Sequence, residues 1–157
     1  MSKLFKLNVH LGQTWKASLE SVLNILRKPS FVTEETFQFT NYQPEFSTGS
    51  TLTFSATNIQ ASYLAIGQMV WVRVNVAGTT GGVANPFISF TLPFTIDISS
   101  QNQPLPCYIE DGAGSNVGFL ALIAGTNLAQ VRKIASANWG LGAGRIFACN
   151  FFYQRNV

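Results

Sequence analysis

The chain has 157 residues, 46% of them hydrophobic and only 11% charged, with a formal net charge of +3. That length suffices to bury a core without disulfide or metal staples, so one domain with an appended arm is expected. A charged share well under the roughly 25% usual for soluble domains leaves two readings of the surface: a large contact area in an assembly, or a β-protein coated in Ser, Thr, Asn and Gln.

Residues 1–36 read as the arm. Apolar residues alternate roughly from Phe5 to Leu11, enough for one strand. At Thr14 the period changes: Trp15, Leu19, Val22, Leu23 and Leu26 recur at helical spacing, while Lys16, Glu20, Asn24 and Arg27 take the opposite face. Thr14 serves as an N-cap and Pro29 as a stop, predicting one amphipathic helix of about three turns. A helix this short is marginal alone in water, so its apolar stripe needs a partner, either the β-domain itself or another subunit. Lys3, Lys6, Lys16, Arg27 and Lys28 face only Glu20 over this stretch, which makes the arm the basic part of the chain. Its lysines are scattered, so a solvated helix face explains them without nucleic acid, and an acidic protein surface is the other partner they would suit.

Residues 37–157 read as strands throughout. Phe37 and Phe39 share a face of a short strand, and Thr51-Leu52-Thr53-Phe54-Ser55 alternates with Leu52 and Phe54 inward. The organising stretch is Ala61–Phe94. Val70, Val72, Val74 and Val76 fall on one face of its first strand, and Met69, Trp71, Arg73 and Asn75 on the other. Gly78-Thr79-Thr80-Gly81-Gly82 is expected to reverse the chain, Phe87–Leu92 to return as the hairpin partner, and Pro93 to close that strand. Further short strands are predicted around Cys107–Ile109, Gly118–Ala124, Leu128–Ile134 and Arg145–Tyr153, with Glu110-Asp111-Gly112 as a turn. About eight strands with no βαβ alternation favour an all-β, antiparallel β-sandwich, most simply a jelly roll, with a short N-terminal arm containing one amphipathic helix.

Chemistry is sparse. The acids are Glu20, Glu34, Glu35, Glu45, Asp97, Glu110 and Asp111, so a carboxylate pair for glycoside hydrolysis would have to be assembled by folding. His10 is the sole histidine and lies in the arm, without a serine or cysteine motif for a triad. Cys107 and Cys149 lack any CxxC or Cys/His spacing, which argues against zinc; they could pair if their strands adjoin, and buried free thiols are the commoner case. The glycines of Gly140–Arg145 lack the Lys-Ser/Thr ending of a phosphate loop and precede a strand, so a turn or bulge accounts for them. No cofactor or metal is expected, and no enzyme. The sheet lacks the aromatic-and-basic pattern of an RNA-binding surface. Neither a signal peptide nor a membrane span is legible, the longest apolar run being Val117–Ala124, and a product made in the cytoplasm is expected. Trp71 and Arg73, on the non-valine face, would contact either the N-terminal segment or a neighbouring subunit.

Taken together, residues 37–153 resemble the small β-sandwich domains of tailed-bacteriophage virion proteins. The resemblance is carried by Tyr63 and Gly67 in YLAIGQMVWVRVNV, a Gly/Thr stretch, a strand ending Leu92-Pro93-Phe94, and a closing aromatic strand at Phe147–Tyr153. Thr91 stands where such domains commonly carry a glycine before Leu-Pro-Phe. The resemblance implies a trimeric jelly roll in the virion, serving as capsid cement, head fibre, collar part or tail-fibre tip. The absence of heptads or shaft repeats in this sequence, and the basic helical arm, favour a capsid cement (decoration) protein that docks on the major capsid protein or another virion protein. Under that reading Leu4, Phe5, Trp15, Lys16, Leu19, Leu23, Leu26, Arg27, Trp71 and Arg73 form the shell or subunit interface. A tail-fibre or collar domain binding a host surface glycan is the alternative.

Overall fold

The structure, a computed structural model, describes residues 38–48, 51–99, 104–112 and 114–156. The arm, its helix, and with them Leu4, Phe5, Trp15, Lys16, Leu19, Leu23, Leu26 and Arg27, lie outside the described residues. The regular elements among the described residues are strands and one short 3₁₀ turn at Ile134–Ser136.

The two longest early strands, β3 (Leu52–Ile66) and β4 (Met69–Gly82), form an antiparallel hairpin around Gly67-Gln68. Gly67 adopts φ +57°, the left-handed value that the first position of a tight two-residue turn requires. On its other edge β4 pairs with the C-terminal strand β9 (Gly142–Gln154), so β4 lies inside the sheet. Its valine face is the core face: Val70, Val72, Val74 and Val76 are all buried.

β6 (Leu105–Asp111), β7 (Ser115–Ile123) and β8 (Leu128–Lys133) follow as a meander, with β6 also pairing to β9. β5 (Phe87–Thr91) pairs with β8 and with the two-residue β2 (Phe46–Ser47), and β1 (Thr40–Asn41) adds to β3. The result is one nine-stranded sheet in the order β1-β3-β4-β9-β6-β7-β8-β5-β2, antiparallel at every pairing. The sheet curls on itself. Phe46 of β2 comes within 5.2 Å of Phe54 of β3, ring to ring, and Phe90 of β5 stacks on Phe147 of β9 at 5.7 Å across the interior.

The all-β antiparallel expectation holds, but the hairpin partner expected for β4 does not. Gly78–Gly82 is not a reversal; it continues β4 to its end opposite Leu52–Ala56, and Phe87–Thr91 pairs elsewhere. The glycines answer a packing need. A Cβ on Gly78 would lie 2.5 Å from the Phe54 ring and 2.7 Å from the Ser55 carbonyl oxygen, so the aromatic side chain uses the space that a residue other than glycine would fill. The short strand expected at Thr51–Ser55 therefore runs on to Ile66 as the true partner of β4.

One more local reading changes, at Asp111, and the turn or bulge expected at Gly140–Arg145 is present. Asp111 is the last residue of β6 rather than part of a free turn, and its carboxylate is a hub: Lys133 Nζ lies 2.6 Å from one oxygen and Arg145 Nε 2.7 Å from the other. The Gly140 N–H donates to both oxygens. Arg145, itself buried, donates to the carbonyls of Gly140, Ala143 and Leu141, so the Gly140–Arg145 stretch is a pinned turn leading into a bulged start of β9. The chain end is tied down by Asp97 N–H to Gln154 and Asn156 N–H to Thr95, with Ile96 bridging to Arg155.

Candidate functional site

The register of β3, β4 and β9 decides what stands on the outer face of the sheet. Three cross-strand rows result: Leu64–Trp71–Phe152, Ser62–Arg73–Asn150 and Gln60–Asn75–Ala148. Because side chains alternate across the pleat, these rows share the face opposite the buried valines. Sequence periodicity placed Trp71 and Arg73 there; Phe152 and Asn150 needed the register of β9, which no local signal carries.

The first two rows form an aromatic–cationic cluster. Trp71 stacks on Phe152 with ring centroids 5.2 Å apart and planes inclined by 26°, and Phe39, just before β1, meets Trp71 edge-on at 5.0 Å. The indole N–H donates to the side-chain oxygen of Asn150. The Arg73 guanidinium sits 4.0 Å from the Phe39 ring centre and 4.6 Å from that of Trp71. Such cation–π contacts at exposed sites contribute about 0.5–1 kcal/mol each. They hold Arg73 in place while leaving its N–H groups without a hydrogen-bond or ion-pair partner among the described residues. Ile66, Met69 and Phe152 are each about half exposed at this end, and Leu64 is buried on this outer side, apart from the core cluster.

Beside the cluster runs an open groove of about 640 Å³ over β1, β3, β4 and β9. Its polar lining is Asn41, Gln43, Gln60, Ser62, Asn75 and Asn150, with Arg73 its single charged residue. Tyr42 also borders it; its hydroxyl is turned out of solvent, and burial pushes its pKa well up.

Elsewhere, Cys107 and Cys149 are free, buried thiols, as expected. Cys149 has its pKa raised by the hydrogen bond with Cys107 and by burial, and Cys107 also reaches the Ala148 carbonyl at 3.5 Å. Among the described residues no group of three or more His, Cys, Asp or Glu is placed to hold a metal ion, and no helix is long and apolar enough to cross a membrane. The Asp111 carboxylate is committed to Lys133, Arg145 and Gly140, and Asp97 accepts from the backbone and hydroxyl of Ser99.

Fold and site together define an antiparallel all-β domain that presents aromatic rings, one arginine and a row of amides on one sheet face. Comparison with protein-family models, with curated proteins and with solved structures finds no match.

Proposed function

We propose that this protein is a non-enzymatic structural protein of a bacteriophage virion, a capsid cement (decoration) protein that binds the head shell as a trimer. The observation that supports it best is the apolar end of the outer face, where Ile66, Met69, Trp71 and Phe152 stand together on paired strands. An exposed apolar group of this kind on a weakly charged protein is suited to burial against another subunit. Each docked copy would contribute about 25 cal/mol per Å² of apolar surface removed from water, before entropic costs. Threefold symmetry would multiply the attachments and make individually weak contacts sufficient.

In this reading the curled sheet works as a jelly-roll sandwich, an idea supported by the facing of Phe90 and Phe147 across the interior. The arm of residues 1–36, with its helix from Thr14, supplies the shell anchor. The major capsid protein or another virion protein is the partner, and neither nucleic acid nor a membrane takes part.

Light scattering on the full chain tests the assembly, with Met69→Ser and Phe152→Ser as the variants. A trimer that the substitutions dissociate, and that raises the disruption temperature of purified shells, is the expected result. A monomer at micromolar concentration, or shells indifferent to the protein, overturns the reading.

A second reading, a tail-fibre or collar domain that binds a host glycan, is favoured by one separate observation: the amide-lined groove beside the cluster.

A further inference from the structure

We infer that the groove over β1, β3, β4 and β9 is a binding site for an acidic oligosaccharide, one whose carboxylate pairs with Arg73. The inference deepens the glycan-binding reading and rests on it; it competes with the cement reading for Arg73 and Phe152.

The groove's chemistry selects the ligand class. Its volume of about 640 Å³ falls within the roughly 300–1,000 Å³ typical of small-ligand sites. Asn41, Gln43, Gln60 and Asn75 are exposed, and their side-chain amides have no hydrogen-bond partner among the described residues. An amide donates through its NH₂ and accepts through its oxygen, which matches sugar hydroxyls, themselves both donors and acceptors. Ser62 adds a hydroxyl of the same kind. An apolar ligand would leave this many amides desolvated and unpaired, at a cost in affinity for each.

The charge pattern narrows the class. Arg73 is the one ion in the groove, and no Asp or Glu lines it. Phe39 and Trp71 hold the guanidinium carbon 4.0 and 4.6 Å from their ring centres, and its N–H groups have no hydrogen-bond or ion-pair partner among the described residues. A planar guanidinium whose N–H groups are unpaired is suited to two parallel hydrogen bonds with a carboxylate. Along β9 the next outward residue after Asn150 is Phe152, about 7 Å further on by strand geometry. Its half-exposed ring, backed by Trp71, offers an apolar surface on which a pyranose can stack. Amides, arginine and ring thus follow one another along a path that a short sugar chain can span.

Calorimetric titration of the full chain provides the test. The probes are hexagalacturonate, hexamannuronate and sialyllactose, each beside its carboxyl-reduced counterpart, with a hexaglutamate peptide as the acidic non-sugar. At least one acidic sugar is expected to bind saturably, and its reduced form about tenfold or more weaker, the loss that follows from removing a charge-assisted hydrogen bond. Arg73→Gln should abolish that difference. The double variant Gln60→Ala/Asn75→Ala should weaken both forms together, with the circular dichroism of each variant unchanged.

No saturable binding of any sugar overturns the inference. So does sugar binding that carboxyl reduction and Arg73→Gln leave unaltered, and so does hexaglutamate binding as tightly as the sugars, which would make the site one for acidic peptide. Light scattering of the same samples separates the two proposals, since a trimer that binds no sugar removes this one and leaves the cement reading intact.

Discussion

Trp71 stacks on Phe152 at 5.2 Å although the two residues come from opposite halves of the chain, and the contact exists because β9 pairs with the far edge of β4. Aromatic pairs of this geometry contribute about 0.5–1.5 kcal/mol beyond the area they bury. Trp71→Ala also loses the ring's buried area, the Asn150 hydrogen bond and the contacts with Phe39 and Arg73, so it should lower unfolding stability by about 2–4 kcal/mol and leave the β-sheet spectrum intact. Urea denaturation followed by far-ultraviolet circular dichroism measures it. A loss of fold would show that the outer face supports the sheet rather than merely decorating it.

Asp111 is a stronger anchor. Its removal leaves the buried Arg145 guanidinium without its carboxylate, and breaking a buried pair from one side typically costs about 3–5 kcal/mol. Asp111→Ala should lose stability of that order and free the turn from Gly140 to Arg145, which hydrogen exchange at Gly140 N–H would detect.

The same carboxylate predicts an acid limb. Burial by itself would raise its pKa, but the hydrogen bonds from Lys133 and Gly140, with the charges of Lys133 and Arg145, outweigh it and lower the value from the ordinary 3.8. A lowered folded pKa stabilises the protein above the unfolded value. That contribution is present in full above pH 3.8 and disappears as the pH falls through the lowered value. Unfolding free energies measured between pH 6 and pH 2 should decline less steeply in Asp111→Ala than in the wild type.

Tyr153 predicts the alkaline limb. Burial pushes its pKa from 10.0 up to about 12, against the opposing effects of the Phe94 hydrogen bond and Arg155. A raised folded pKa stabilises below the unfolded value, so this contribution is intact below pH 10 and is lost toward pH 12. Tyr153 accepts from the Phe94 N–H and donates to the Phe94 carbonyl. Tyr153→Phe should cost about 1 kcal/mol at neutral pH and flatten the alkaline fall, as read by thermal melts across that range.

Gly118 tests how tightly β6, β7 and β8 approach. A Cβ there would stand 1.9 Å from Ile109 Cδ1 and 2.5 Å from the Arg132 carbonyl oxygen. Ile109 could turn aside, but the backbone oxygen could not. Gly118→Ala should destabilise by about 1–3 kcal/mol, the usual cost of overpacking, and calorimetric melting would show it as a lowered Tm.

The alternation of Val70, Val72, Val74 and Val76 was enough by itself to identify the core face of β4, because a period of two has only one structural meaning in a strand. The same count put Trp71 and Arg73 on the outer side, while the spacing of Cys107 and Cys149 argued against zinc and left their pairing to the structure, which shows free thiols. Glycine was the misleading signal. In Gly78–Gly82 it looked like a reversal, yet Gly78 is required by the Phe54 ring that packs over it. A glycine placed for a turn and one placed for a close approach are identical in sequence.

What the tertiary structure alone decided is strand neighbourhood. The pairing of β4 with β9 brought Phe152 to Trp71 and Asn150 to Arg73, and the return of β8 and β9 gathered Lys133 and Arg145 on Asp111. Periodicity determines which way a side chain faces because it is a property of one strand. Which residues share a face across strands depends on long-range register, set by how the whole sheet buries its apolar surface, and no local stretch of sequence contains it.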